Sequence, residues 1–290
     1  MKKMLLLGCL LLAACDIRID NDEKSGDVKN IHVSIGSLGG LKGNGKQASE
    51  TRTLKAVKEL DVSGALTVLV SIGSTPSLSV SGDENLLPYV VTEQQGERLV
   101  IHTQRQLSPR EPIKVTVVMP ALSYLKHTGS GRLEVAGLAG GDLQLEATGS
   151  GETQIGGKVA SLSARLVGSG DVTGQQLVAD SMDVEVLGSG DVRLGKIETG
   201  SLRASIKGSG SVAAEGTTRE LKGSVMGSGD LHFKELQART AELEIMGSGD
   251  ISAYASESVK ADAKGSGDIV VYGKPPRQAF SGKHVSLAEN

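Results

Sequence analysis

The chain is short of aromatic side chains: Tyr89, Tyr124, Tyr254, Tyr272, Phe233 and Phe280 are all it has in 290 residues, and Trp is absent. A compact α/β enzyme of this length normally builds its core around more rings, so that class is disfavoured from the start. Proline numbers seven, which excludes a collagen-like chain in spite of 39 glycines. Charge of one sign is also lacking. The formal net charge is −3, from 31 basic and 34 acidic side chains, and no basic stripe suggests a nucleic-acid footprint. Disorder is excluded by the opposite quantity, a hydrophobic fraction of 38%. The apolar run Leu5 to Leu12 is too short to span a bilayer as a helix. Cysteine is limited to Cys9 and Cys15.

What is present at the N-terminus is an address. Lys2 and Lys3 precede the apolar run, and small residues Ala13 and Ala14 follow it. This is the pattern of a signal peptide, assigned here to residues 1–14. Leu12-Ala13-Ala14-Cys15 resembles a bacterial lipobox, which implies cleavage between Ala14 and Cys15 and lipid on the Cys15 thiol. The plainer alternative is an ordinary signal with an incidental cysteine. Residue types, spacing and the end of the apolar run at Cys15 favour the lipobox. Several acyl chains on one residue anchor stably where one would be marginal. The expected localisation is therefore the cell envelope, lipid-anchored and facing the periplasm. Asp16 resembles an inner-membrane retention signal of enteric bacteria, with the outer membrane as the alternative. Once Cys9 leaves with the signal and Cys15 carries lipid, no thiol remains for a disulfide, a metal site or a nucleophile. Residues 15–50 are polar and glycine-rich and are expected to be a tether, with Ile31 to Ile35 as an isolated strand pattern. A flexible tether of that length spans about 30–35 Å root-mean-square.

The fold is written in a repeat. Gly-Ser-Gly occurs eight times, beginning at Gly129, Gly149, Gly168, Gly188, Gly208, Gly227, Gly247 and Gly265, at intervals of 18 to 20 residues. Aspartate follows in five copies: Asp171, Asp191, Asp230, Asp250 and Asp268. Before each motif apolar and polar residues alternate. Two positions before it stand His127, Ala147, Leu166, Val186, Ile206, Val225, Ile245 and Ala263, whereas three positions before it stand mostly charged or serine residues. Period-two alternation marks a strand with one buried face. After the motif Val172, Val192, Val212, Leu231, Ile251 and Ile269 begin a second apolar series. Each repeat thus reads as two short strands joined by a Gly-Ser-Gly-Asp corner, where glycine accepts positive φ and Asp or Ser bonds nearby backbone.

A repeat of this size cannot bury its own apolar face, but stacked copies can. The expected fold is all-β: a parallel β-helix solenoid with coils of about 20 residues, right-handed because crossovers between parallel strands are. Regular repeats occupy residues 129–273. Residues 51–128 carry looser echoes, such as Leu60-Asp61-Val62-Ser63-Gly64, and are expected to supply degenerate N-terminal coils and a cap. Residues 274–290 are expected to be a C-terminal tail or cap, with Pro275-Pro276 ending strand pairing. Small residues among the inner columns predict a narrow bore with little room for a ring.

The segment Val80-Ser81-Gly82-Asp83-Glu84-Asn85-Leu86-Leu87, the strand Leu99-Val100-Ile101 and the serial Gly-Ser-Gly-Asp corners resemble the bacterial GIN-domain family, described as putative auto-transporter adhesin, head GIN domain. The similarity spans about residues 52–273. It implies a right-handed β-helix and a surface-binding role with no established ligand. An autotransporter also needs a membrane barrel, and no segment has the length and patterning for one. The lipid anchor is expected to take its place.

Little in the sequence points to catalysis, and no catalytic residue, metal ligand set or cofactor is assigned. Asp171, Asp191, Asp230, Asp250 and Asp268 are read first as structural corners and second as a cation ladder. Glu185, Arg165, Arg203, Asp183, Lys222 and Glu242 fall on the outer face and would serve a carbohydrate-active enzyme, a polysaccharide lyase or hydrolase, which is the alternative function. They mix signs as a solvated surface does. His32, His102, His127, His232 and His284 lack metal-ligand spacing. His127, in an interior column, is read as a capping or partly exposed residue. Tyr124, Tyr254 and Tyr272 do not recur every coil, which disfavours a repetitive sugar platform. The reading is a non-catalytic, adhesin-like envelope lipoprotein. Its expected partners are the membrane through Cys15 and a protein or glycan of the envelope, with no nucleic acid.

Overall fold

The structure, a computed structural model, describes residues 40–288 and the backbone of two short strands, Cys15–Arg18 and His32–Ile35. These two strands pair antiparallel, Cys15 opposite Ile35. Residues 1–14, read above as a signal peptide ending at Ala14, and the side chain of Cys15, read as the lipid attachment point, lie outside the described residues.

From residue 124 onward the chain is a parallel β-solenoid. The strand runs Asp171–Gly188, Asp191–Gly208, Ser211–Gly227, Asp230–Gly247 and Ile251–Gly265 each pair in parallel with the next. Register is strict at the corner. Gly129, Gly149, Gly168, Gly188, Gly208, Gly227, Gly247 and Gly265 form one ladder, which continues into the less regular section at Gly64. The apolar columns therefore stack coil on coil. Leu166, Val186, Ile206, Val225 and Ile245 are all buried, and the residue on either side of each is not.

Positive φ is only part of the reason for glycine at the corner. At Gly188 φ is +132°, and an added Cβ would also collide with the carbonyl oxygen of Gly168 one coil below. The second glycine, Gly190, has no positive φ but meets Gly170 in the same way. Backbone lies directly on backbone here. The Ser189 N–H donates to the Gly168 carbonyl at 2.8 Å, and Ser209 repeats this bond to Gly188 at 2.8 Å. The corner serine side chains are exposed, so the serine contributes its N–H to the stack.

Three features differ from the sequence reading. First, the stretch between corners is one long bent strand of 15 to 18 residues in the last five coils. Its second bend is a register shift, for example between Leu194 and Ile197, with Gln176 and Lys196 at positive φ. Glycine holds the same place at Gly137, Gly157, Gly216 and Gly273, all at positive φ, but it does not recur in every coil as the corner glycines do. Second, the bore does hold one ring. Phe233 is fully buried beside Ala253, and it reaches within 3.8 Å of where a Cβ on Gly223 would stand. A glycine and an alanine make room for it. Third, His127 is neither a cap nor partly exposed: it is 2% exposed, inside the bore.

The first coils are closed by antiparallel strands. Ser77–Asp83 pairs antiparallel with both Lys114–Met119 and Gln47–Arg52, and Val90–Gln95 pairs antiparallel with Arg98–Thr103. Packed strands thus begin at Leu41, inside the stretch read as tether. Asp83 fastens this end. It is fully buried, and its carboxylate accepts the Gly45 N–H at 2.6 Å and the Arg110 N–H at 2.8 Å. Asn85 adds bonds to Asn44 N and Lys42 O, and Arg52 donates to the carbonyls of Val90 and Leu87. At the other end the chain resumes parallel pairing after Pro275-Pro276. Arg277–Ser281 lies on Ser258–Asp262, and Val285–Leu287 lies on Ile269–Tyr272.

Candidate functional site

Strand alternation sends every second residue of the wall before each corner outward, and strict register lines those residues up along the rod. One outward column is Asp183, Arg203, Lys222, Glu242 and Lys260. The next is Arg165, Glu185, Ser205, Ser224, Glu244 and Asp262. Serine is short, so the second column dips between Glu185 and Glu244. The result is an open groove of about 600 Å³. Ser205 and Ser224 form its floor, with the Ser224 hydroxyl donating to Ser205 at 3.1 Å.

All six outer-face residues singled out from the sequence meet here. Asp183, Glu185, Arg203, Lys222 and Glu242 line the groove, and Arg165 binds Glu185 at its rim. Sequence reasoning had not singled out Ser205, Ser224, Glu244, Lys260, Asp262 and Lys264. All but Lys264, which stands in register with Met246 one outward column further on, occupy the same two columns, but only neighbouring side-chain lengths reveal the dip.

The electrostatics are those of paired charges. Glu185 takes Arg165 on one oxygen and Lys207 at 3.0 Å on the other. Lys260 donates to Glu242 at 2.9 Å, and Lys264 bridges Glu244 at 3.0 Å and Asp262 at 2.8 Å. The hydrogen bond and charge of Lys260 hold the Glu242 carboxyl below its usual range. Lys264 does the same, mainly by its hydrogen bond, for Asp262. The two lysines are pushed up by the same pairs. Arg203 and Lys222 differ. Their ion pairs are looser, Arg203 to Asp183 at 3.8 Å and Lys222 to Glu242 at 3.6 Å, though Lys222 adds a smaller share to the lowering of Glu242.

Elsewhere, each corner carboxylate binds into the adjacent coil. Asp191 accepts from Ser211 N at 3.1 Å and Ser211 Oγ at 2.7 Å. Asp230 accepts from Asp250 N, and Asp250 from Asp268 N, both at 2.8 Å. Asp268 meets His284 at 2.9 Å, and Arg193 lies 3.7 Å from Asp171 and 2.8 Å from Asp191. Repulsion along the ladder is thus offset by amide donors and one arginine. Among the described residues no group of three or more His, Cys, Asp or Glu is placed to hold a metal ion. His127 Nδ1 bonds the Thr153 hydroxyl at 2.9 Å, and its buried Nε2 has no partner. Burial lowers its pKa. The three tyrosines lie away from the groove. Tyr124 bonds Glu146 under Arg98, while Tyr254 and Tyr272 are in register on adjacent coils.

The "putative auto-transporter adhesin, head GIN domain" family model matches residues 56–213 and again 172–275. The chain belongs to this GIN-domain family. Two overlapping matches are what a periodic sequence allows. A crystal structure of a putative lipid binding protein from Parabacteroides distasonis is 26% identical, with a TM-score of 0.67 over 86% of this chain and 99% of that one. A putative adhesin from the same organism is 23% identical, with a TM-score of 0.68 over 85% and 98%. Another from Parabacteroides merdae is 21% identical, with a TM-score of 0.65 over 87% and 100%. The last two share the fold. None of the curated proteins matches the chain. Among the described residues of this GIN-domain protein no helix is long and apolar enough to cross a membrane.

Proposed function

We propose that this GIN-domain protein is a non-catalytic binding module of the cell envelope. In this reading lipid on Cys15 holds it to the membrane, and the segment after Cys15 presents the solenoid on the periplasmic side. The observation that carries the reading is the groove along the flat wall, where eleven charged or serine side chains from five successive coils are held in register. Side chains fill the bore, so a ligand binds outside it.

The chemistry of the groove favours binding over turnover. Glycoside hydrolysis needs one carboxyl kept protonated near neutral pH. The carboxyls with displaced titration here, Glu242 and Asp262, move the other way. A lyase needs a group that can take a proton. No His or Tyr lines the groove, and Lys260 and Lys264 are pushed up. The family's adhesin name agrees with a binding role.

Two measurements test this. Cells expressing the full chain and fed radioactive palmitate should label the protein, and Cys15→Ser should abolish labelling; persistent label would refute the anchor. Purified full chain should release no reducing ends or unsaturated products from acidic or neutral polysaccharides. Turnover that disappears in Glu242→Gln would establish the enzyme instead.

A further inference from the structure

Coil by coil, the groove is not uniform. The first coil presents Asp183 and Glu185, and the fourth presents Glu242 and Glu244. The two coils between them each present one cation and one hydroxyl: Arg203 with Ser205, then Lys222 with Ser224. Register puts Arg203 beside Lys222 and Ser205 beside Ser224, one coil apart, about 4.8 Å. Two like charges stand next to each other without a carboxylate between them. Their ion pairs, to Asp183 at 3.8 Å and Glu242 at 3.6 Å, are longer than the hydrogen-bonded pairs that Arg165, Lys207, Lys260 and Lys264 make. The most loosely held donors of the groove are therefore those at its centre.

We infer that this centre is an anion site for an acidic glycan, with a sugar carboxylate between Arg203 and Lys222 and flanking neutral sugars against the two diacidic coils. The proposal rests on the reading of this face as the binding surface. A guanidinium and an ammonium beside two hydroxyls match a carboxylate, which accepts several hydrogen bonds. Beyond the centre each cation of the groove already hydrogen-bonds a carboxylate, so a second nearby anion would find no free donor and the ligand must carry its anions sparsely. Sugar hydroxyls, as donors, suit Glu185 and Glu244. From Glu185 to Glu244 is three coil steps, roughly 14 Å, the reach of a short oligosaccharide. An acidic peptide fits less well. This wall lies inside the sheet and its backbone is already paired, so a peptide cannot add as a strand. A nucleic acid would bring a charge at every step, where only the centre has loosely held donors to meet one. No ring lines the groove for stacking, so affinity comes from polar contacts alone and is expected to be weak.

The test uses the full chain purified in non-ionic detergent and titrated by calorimetry and by NMR. The probes are a hyaluronan hexasaccharide, in which uronate alternates with neutral sugar, its carboxyl-reduced form, and oligoglutamate. The expected result is saturable binding of the acidic hexasaccharide, at least tenfold weaker for the carboxyl-reduced form and for Arg203→Gln/Lys222→Gln. Ser205→Ala/Ser224→Ala should weaken it severalfold, and Arg193→Gln, on another face, should leave it unchanged. Circular dichroism checks that the surface variants fold. Equal binding of the carboxyl-reduced form, an undiminished Arg203→Gln/Lys222→Gln variant, or tighter binding of oligoglutamate would overturn the proposal. So would no binding of any probe up to millimolar concentration. Association of the full chain carrying Cys15→Ser, which has no acyl anchor to insert, with isolated envelopes is measured in parallel. If it persists while the probes fail, only the ligand assignment falls; if it too is absent, the binding-module reading falls with it.

Discussion

Val186 sits at the middle of the bore, fully buried and in register with Leu166 below and Ile206 above. Val186→Asp replaces it with a side chain of similar volume whose carboxylate has no donor within the column. A carboxyl in such a place keeps its proton, with a pKa raised by roughly three units. At about 1.4 kcal/mol per unit, taking up that proton at pH 7 costs roughly 4 kcal/mol. Lost valine burial adds about 1.5 kcal/mol, for a total of about 5.5 kcal/mol. The sign with pH follows. A pKa raised in the folded state makes the penalty largest at neutral pH, and it shrinks as pH falls toward the unfolded value. The neighbouring Glu185 points outward, and it holds Arg165 and Lys207. Glu185→Gln should therefore cost no more than about 1 kcal/mol, the range of exposed ion pairs. Glu185→Lys is the poorer control, because it sets a third cation between those two. Urea unfolding followed by circular dichroism at pH 7 and pH 4.5 gives the totals. Hydrogen exchange shows whether protection is lost around residues 164–206, since a stacked repeat can open locally. Equal losses for Val186→Asp and Glu185→Gln would mean that the two faces of the strand are misassigned.

Other outcomes follow from the same geometry. Gly208→Ala drives a methyl into the Gly188 carbonyl at φ +140° and should cost about 2 kcal/mol or more, with faster exchange at Ser209 N–H; Gly195→Ala, whose Cβ meets nothing, should stay within about 0.5 kcal/mol by the same urea assay. His127 is kept neutral by burial, its pKa lowered on folding. Stability should therefore fall as pH drops below the unfolded value of about 6.5. His127→Leu should flatten that slope between pH 7.5 and 5; an unchanged slope would assign it to another group. Asp83→Ala orphans the N–H groups of Gly45 and Arg110 and should cost about 3 kcal/mol. Limited proteolysis should then cut near residues 43–46 or 108–112 while the regular coils resist.

Much of this was legible because the solenoid is nearly one-dimensional. Each residue's neighbours lie one repeat away, so aligning the copies reproduces the contact columns. Val186, Leu166 and Ile206 could be placed inside and Glu185 outside by period alone. The GIN-type segment around Asp83 was recognisable as a pattern, but its work was not. Its partners at Gly45 and Arg110 lie 38 and 27 residues away on loops with no repeat. The antiparallel cap was hidden for the same reason, since Gln47–Arg52 pairs with Ser77–Asp83 outside any period. His127 stood in an interior column, yet its place at the start of the regular repeats suggested an end, and the structure puts further coils beneath it through Glu59–Gly64.

The sequence by itself therefore determined the coil length, the register and which face of each strand meets water, because a period of two inside a period near 20 leaves one consistent stacking. Tertiary structure decided what depends on distance between coils. It showed that the corner glycines are needed for backbone lying on backbone as well as for φ, and that Phe233 fits where Gly223 and Ala253 leave space. It also showed that two serines sink the outer wall into a groove with two loosely paired cations at its centre. Those are packing facts: they arise from side-chain volume and separation in space, which no spacing along the chain records.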